Sequence, residues 1–302
     1  MLSAGGGMDA QCAATGLTGM LGRRASEMWG LNDSAYLRVD LTDSEAVRRA
    51  IASHPADVVV NFAAYTDVGR AQSQYGDREG DCFRLNVSGA ATLAQACARE
   101  GKFLVQISTD YVFEGESEEP YNEDSSPDAT TDWYGMTKRI AEQKVQDSAA
   151  LCAIVRVSFP FVLRSQRKLD VVRRIFSQIE DGRQIHAFTD QTITPTYADD
   201  AINAIAAIAR GRHAGIFHGV GPEAMSPYVL ATTISMQAGL GRDLIAPSLL
   251  RDYVVATGRF YPRSLPMSHR QTSETIDYAP ASVATALSEA NVASIRMGLR
   301  AS

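Results

Sequence analysis

Tyr134-Gly135-Met136-Thr137-Lys138 offers a phenol and an ammonium at positions i and i+4, and the earlier run Val105-Gln106-Ile107-Ser108-Thr109-Asp110-Tyr111 offers hydroxyls where a strand would end. If the first stretch opens a helix, Tyr134 and Lys138 share one helical face and the ammonium lies close to the phenol. A nearby cation favours phenolate, so the tyrosine pKa is expected to fall from about 10 toward the working pH while the strand-end hydroxyl holds a carbonyl in place. Such a trio delivers a proton to a carbonyl oxygen. The same spacing also occurs on helices where Tyr covers a core edge and Lys is solvated, so context has to decide.

That context begins upstream. Thr15-Gly16-Leu17-Thr18-Gly19-Met20-Leu21-Gly22 places three glycines at a spacing of three, a form that tightens a strand-to-helix turn and lets backbone N–H groups approach a pyrophosphate. Alone it is also the form of an ordinary flexible turn. It heads a chain that alternates strand-like and helix-like segments for most of its length, as an α/β sheet requires.

The elements that must position these groups follow from periodicity. Ala10 to Ala14 reads as a first strand, a poor one by composition, with the run Gly5-Gly6-Gly7 before it as a tail; a helix follows from Gly19 to Trp29. Tyr36 to Val39 reads as a strand ending at Asp40, and Thr42 or Asp43 as the N-cap of a helix over Ala46 to Ile51. Asp57 to Ala64 is a continuous apolar strand, the pattern of a parallel sheet covered on both faces. Ala90, Leu93, Ala94 and Cys97 mark a core-facing helix. Lys102 to Ser108 and Leu151 to Ser158 are further strands, separated by a polar loop over Glu114 to Asp132. Beyond Phe159 the pattern predicts helices near Val171 to Ile179, Asp199 to Ala209 and Tyr228 to Gly239, and strands near Ile185 and over Gly215 to Gly219. Pro247 to Ser273 shows no period and reads as an irregular capping region.

Composition narrows the function. With 302 residues, 45% hydrophobic and 21% charged, the chain can bury a large core. A net charge of −6 without Lys/Arg clusters argues against nucleic acid. No apolar run reaches the ~18 residues of a membrane span, and no secretory signal is seen. Cys12, Cys82, Cys97 and Cys152 lack Cys-x-x-Cys spacing and fit small buried residues in a reducing compartment, so a cytoplasmic location is expected. The histidines show no metal-ligand spacing; no metal is expected.

Over nearly its whole length the chain resembles the dTDP-4-dehydrorhamnose reductase family of extended short-chain dehydrogenases, which includes the regulatory β subunit of methionine adenosyltransferase. The matching runs are Thr15 to Gly22, Asp40 to Asp43, Asp57 to Thr66, Asn86-Val87, Ser108 to Gly115, Tyr134 to Lys138, Asp190 to Ala198 and Phe217 to Tyr228. The resemblance implies an α/β Rossmann-type doubly wound parallel sheet over 1–158, to which 186–218 returns, with a smaller interleaved substrate lobe over 159–302. It implies NADPH or NADH as cofactor, a nucleotide-linked 4-keto-6-deoxysugar, dTDP-linked, as substrate, and a homodimer. Carried over by position, Thr109, Tyr134 and Lys138 match the catalytic trio. Gly16, Thr18, Gly19, Met20 and Leu21 match the pyrophosphate turn, Asp40 and Leu41 the adenine pair, and Phe62, Ala63, Ala64 and Tyr65 the strand end along the cofactor, with Tyr134 and Lys138 also touching it. Asp110, Tyr111, Phe159, Gln191, Pro195, Thr196 and Arg270 match substrate-pocket positions.

The chain also departs from the family pattern. Its first strand is less aliphatic, little sequence is left for a second strand, and with it for the residue that chooses between the two cofactors. Phe159 stands where the family often has Trp after Arg-x-Ser, Gly69 and Gln72 replace charged residues, and Arg270-Gln271 replaces Arg-Pro. Read singly, Asp110, Asn61, Asn86 and Pro195 fit turn and backbone roles, and Arg156 and Arg270 fit either a diphosphate or an ion pair. A regulatory subunit that keeps Tyr and Lys, or an epimerase or dehydratase of the same superfamily, are the alternatives.

Overall fold

Val58, Val59 and Val60 are all buried, which a strand achieves only when helices cover both faces of its sheet. In the computed structural model, which describes residues 12–148, 151–163 and 170–288, these residues belong to the second strand of a five-stranded sheet. The glycine run Gly5 to Gly7 and the expected strand residues Ala10 and Gln11 lie outside the described residues. In chain order the elements are β1 Cys12–Thr15, α1 Met20–Trp29, α2 Ser44–Ser53, β2 Val58–Asn61, α3 Val68–Gln72, α4 Asp81–Phe83, α5 Ala90–Arg99, β3 Phe103–Thr109, α6 Trp133–Ser148 and β4 Cys152–Val157. There follow β5 Pro160–Phe161, α7 Val171–Glu180, β6 Ile185–Phe188, β7 Thr196–Tyr197, α8 Ala198–Gly211, β8 Gly215–His218, α9 Pro227–Gln237, β9 Ile245–Ser248, α10 Leu250–Thr257, α11 Arg270–Ile276 and α12 Val283–Ala286.

The chain divides into two compact units. The first comprises 1–112, 127–156 and 202–217; the second comprises 113–126, 157–201 and 218–302. The sheet of the first unit runs β1-β2-β3-β4-β8, with β1, β2 and β3 parallel and in register: Ala13 faces Val59, which faces Leu104. That apolar row packs with Val47 and Ile51 of α2, Leu93, Ala94 and Cys97 of α5, and Ala141 and Val145 of α6. The fold is thus a parallel α/β sheet of Rossmann type with flanking helices.

The weak first strand forms despite its alanines. All four of its residues are buried and paired with β2, so tertiary context overrides propensity. The expected strand Tyr36 to Val39 is reduced to one bridge, Tyr36 to Ala14, with Leu37 N–H donating to the Ala14 carbonyl at 2.9 Å. A 3-10 turn over Asp33–Ala35 takes up the chain a full strand would need. Of the two N-cap candidates for α2, Asp43 is the one used, its carboxylate accepting from the N–H groups of Glu45 and Ala46.

The second unit holds two parallel strand pairs, β5 with β7 and β6 with β9. Its core joins Val172, Phe176 and Ile179 of α7 to Leu230 and Ile234 of α9 and Val283 and Leu287 at α12. Pro247 to Ser273 is more regular than its sequence suggests, carrying α10 and the start of α11. The cap of α10 comes from far away in sequence, where Asp190 Oδ1 accepts from Leu250 N–H at 2.6 Å. No helix among the described residues is long and apolar enough to cross a membrane.

Candidate active site

Thr109 ends β3 and Tyr134 and Lys138 open α6, all three buried in the first unit. A side-chain cap starts α6: Asp132 Oδ1 accepts from Gly135 N–H at 2.7 Å. Gly135 is required here, since a Cβ would stand 2.1 Å from the Tyr111 carbonyl oxygen. This close approach brings β3's end against the helix. The Thr109 hydroxyl lies close enough to the Tyr134 phenol to act on it, and the Tyr111 and Tyr134 rings meet edge to face at 5.8 Å. Lys138 Nζ donates to the Ile107 carbonyl at 2.7 Å.

The expected fall in the tyrosine pKa is not what this environment produces. Burial pushes the Tyr134 phenol well above its ordinary value; the Thr109 hydrogen bond opposes this, while Asp110, Asp132 and Cys82 add to it. The ammonium that was to lower it is itself drawn to the Ile107 carbonyl. Burial lowers the Lys138 pKa to about 8, with Glu142 and Cys82 pulling the other way. The phenol is therefore held as an acid beside a cation that titrates near neutrality.

The glycine turn fits a dinucleotide. Gly16 has φ +67°, and a Cβ there would lie 2.4 Å from Ala63 N; a Cβ on Gly22 would lie 2.3 Å from the Gly16 carbonyl oxygen. These two glycines let the turn seat against the end of β2 and the start of α1. Gly19 instead meets only one contact, at 3.4 Å, and no side chain caps α1, as a helix N-terminus that takes a pyrophosphate requires. Thr18 and Gly19 are exposed, Met20 and Leu21 half-buried. Phe62, Ala63, Ala64 and Tyr65 are all half-buried along one edge, and Tyr65 packs into the cluster of Trp133 and Tyr134. Asp40 is exposed with its carboxylate held by Thr42 N–H at 2.9 Å and Thr42 Oγ1 at 2.8 Å, which lower its pKa. Leu41 turns its side chain into the core, leaving only its backbone for an adenine.

Two groups were not singled out as site residues from sequence. Asn86 lies on a π-helical turn, Arg84–Gly89, and clamps Tyr65 from both sides: Tyr65 N–H donates to Oδ1 at 2.8 Å and Nδ2 donates to the Tyr65 carbonyl at 3.2 Å. Nδ2 also reaches Thr137 Oγ1 at 3.1 Å, and that hydroxyl donates to the Tyr134 carbonyl at 2.8 Å. The segment after β2 and the start of α6 are thereby joined. Glu142 accepts from Ser108 Oγ at 2.6 Å and is gripped by Arg156. Arg156 is a buried ion pair, neither a surface pair nor a free diphosphate ligand.

Asp110, from the first unit, is buried and accepts from Thr109 Oγ1 at 2.9 Å; Tyr111 is half-buried. The other substrate-pocket candidates belong to the second unit. Phe159 is one of three non-glycine residues with positive φ among the described residues, at +39°, and its carbonyl accepts from Thr196 N–H at 3.3 Å. Gln191 donates to the Pro262 carbonyl at 2.9 Å. The Thr196 hydroxyl is committed within the fold, donating to the Thr194 carbonyl at 3.3 Å and accepting from Gly221 N–H at 3.0 Å. Pro195 lies under Gly221, whose Cβ would sit 2.1 Å from the Pro195 oxygen. Arg270 is exposed and paired with Glu274 at 2.9 Å.

Residues 10–294 match the family described as the RmlD substrate binding domain. The chain is 31% identical to dTDP-4-keto-6-deoxy-D-glucose reductase of Streptomyces niveus over 84% of this chain and 87% of that one. It is 32% identical to dTDP-4-dehydrorhamnose reductase of Mycobacterium tuberculosis, over 83% and 78%. Among solved structures, the NADP complex of dTDP-4-dehydrorhamnose reductase from Bacillus anthracis superposes with a TM-score of 0.80 at 23% identity, covering 98% of this chain and all of that one.

Proposed function

The chain belongs to the family of the RmlD substrate binding domain, that of the dTDP-4-dehydrorhamnose reductases, and from that premise we propose an NAD(P)H-dependent reductase of a nucleotide-linked 4-keto-6-deoxysugar, with dTDP as its carrier. The observation that carries the reading is that Thr109, Tyr134 and Lys138 lie buried together at the carboxyl end of β3, with the Lys138 ammonium bonded to the Ile107 carbonyl of that strand, in the same unit as the glycine turn.

A reduced nicotinamide, when bound, supplies the hydride. Gly16, Thr18, Gly19, Met20 and Leu21 would hold its pyrophosphate, and Phe62 to Tyr65 would lie along it. Tyr134, kept protonated by burial, gives its proton to the keto oxygen as negative charge develops there. Thr109 orients that oxygen, and Lys138 supplies a positive charge on the same helical face. Arg38 stands at the end of the bridged segment that replaces a full second strand, exposed and stacked over Tyr36 at 4.7 Å, where it would meet the adenosine ribose and favour NADPH. In the second unit Phe159, Gln191 and Arg270 are the groups assigned to the sugar nucleotide, with Pro195 and Thr196 shaping the turn beside them. Four free cysteines fit a cytoplasmic setting, and a homodimer completes the reading.

The test is to mix the protein with NADPH or NADH and a dTDP-4-keto-6-deoxysugar and follow loss of reduced-nicotinamide absorbance. Turnover that falls about 10²–10⁴-fold in Tyr134→Phe supports the proposal. Cofactor binding without turnover would move the chain to a regulatory role, and bound cofactor recycled without net consumption to an epimerase or dehydratase.

A further inference from the structure

Three buried polar groups that this mechanism leaves unused form a single line. Across the first three strands the apolar neighbours Ala13, Val59 and Leu104 face α2, α5 and α6, and two residues further along the same face the register places Thr15, Asn61 and Gln106 side by side. Each of the three is at most 2% exposed. Polar side chains in such a place are costly unless paired, and these are paired in one direction only.

The direction is set at one end. Ala63 N–H donates to Asn61 Oδ1 at 3.1 Å and Thr15 Oγ1 donates to the same oxygen at 2.5 Å, so the amide nitrogen of Asn61 must face the other way. It donates to Gln106 Oε1 at 2.8 Å. That fixes Gln106 in turn, whose Nε2 donates to the Ile107 carbonyl at 2.9 Å. The same carbonyl is the acceptor that Lys138 Nζ holds at 2.7 Å. The line therefore begins beside Gly16 and ends on the anchor of the ammonium.

We infer that Thr15, Asn61 and Gln106 are positioning residues for Lys138: by orienting the side chain that shares the Ile107 carbonyl with the ammonium, they tie that cation to the glycine turn and the Ala63 backbone. The inference rests on the proposed role of Lys138 in the site. The titratable groups that act on Lys138 are Glu142 on its own helix and Cys82 of α4, with Tyr134 one turn away; the row contributes none, so changing it leaves their charges alone.

The chain has four lysines, Lys102, Lys138, Lys144 and Lys168, few enough for the side chains to be followed by NMR in protein labelled with [13Cε]lysine, with Lys138→Arg assigning the signal. The titration midpoint of Lys138 is then read without substrate or turnover. Two donors on one carbonyl lie within about 6 Å of each other, so the carboxylate of Gln106→Glu is expected to raise the midpoint by about one unit or more. Gln106→Leu, which gives the carbonyl to the ammonium alone, raises it by about half a unit. Leu104→Ala, which loosens the same face without touching the row, leaves it within about 0.2 unit. Folded Gln106 variants that keep the parent midpoint overturn the inference, and so does failure of both to fold, which makes the row a folding requirement. A shifted midpoint in a protein that reduces no sugar nucleotide supports the row and counts only against the proposed function.

Discussion

Arg156 grips Glu142 with two parallel hydrogen bonds, Nε to Oε1 at 3.0 Å and a terminal nitrogen to Oε2 at 2.8 Å, and both side chains are out of water. Glu142 lies one turn beyond Lys138 on α6 and favours its protonated form, so the pair stands behind the cation of the site. Removing one partner strands the other's charge. Arg156→Met is expected to lower the unfolding free energy by about 3–5 kcal/mol, and Arg156→Met combined with Glu142→Leu to recover most of it. Urea denaturation of the two variants decides; a single variant as stable as the parent would contradict the argument.

Proton inventory sets the pH dependence. Tyr134 stays protonated through the working range, whereas Lys138 loses its charge as pH rises through about 8, so kcat/KM should fall on the alkaline side with a midpoint near 8. The stability effect has the opposite sense. Between about 8 and its ordinary value of 10.5 Lys138 is charged only in the unfolded chain, which then binds more protons, so unfolding free energy rises with pH across that window, by up to ~3 kcal/mol. Below about 8 the strain of burying the cation is fully present. Lys138→Met should flatten that rise in denaturation curves taken at increasing pH.

Two glycines of one turn should behave differently. Gly16→Ala forces a Cβ to 2.4 Å from Ala63 N at φ +67° and should destabilise the fold by about 2–4 kcal/mol. Gly19→Ala meets nothing closer than 3.4 Å and should leave stability nearly unchanged. Thermal midpoints measured side by side test this, and equal losses would mean the turn is not seated as described.

Arg38→Ala removes the guanidinium that the bridged segment Tyr36 to Val39 itself carries, a side chain paired with Asp33 at 2.9 Å. Binding of NADPH should weaken by about tenfold while NADH is little affected, as fluorescence titration of the two nucleotides would show. Parallel losses for both would place the ribose phosphate elsewhere.

Phe159 holds a left-handed backbone, with φ +39°, a conformation that costs an ordinary side chain about 1–2 kcal/mol and collects at binding sites. Phe159→Ala should raise KM for the sugar nucleotide more than it lowers kcat, in steady-state kinetics. A kcat effect alone would assign the ring to the chemical step.

What the sequence made legible was local. The Val58 to Val60 run, the i, i+3, i+4, i+7 pattern at Ala90 and the Asp43 cap each follow from neighbours along the chain, and so do the glycine turn and the Tyr134 to Lys138 spacing. Partners far apart in sequence were not legible. Cys12 to Thr15 forms a strand because β2 pairs with it, α10 starts where Asp190 caps it from 60 residues away, and Asn86 acts on Tyr65 from a π-helical turn that no hydrophobic period announces. The tyrosine pKa runs against its spacing for the same reason: the spacing puts a cation near the phenol, but burial and the Ile107 carbonyl, which only the folded chain supplies, outweigh it.

The interleaving of the two units bears on how the polypeptide is made. The sheet of the first unit takes its last strand from Gly215 to His218, after a short passage, 113–126, and a long one, 157–201, that belong to the other unit. A ribosome reading from the amino end must release well over two thirds of the protein before either unit can close. Until then β4 waits with a bare flank, a window in which a chaperone or a sticky neighbour could reach it first.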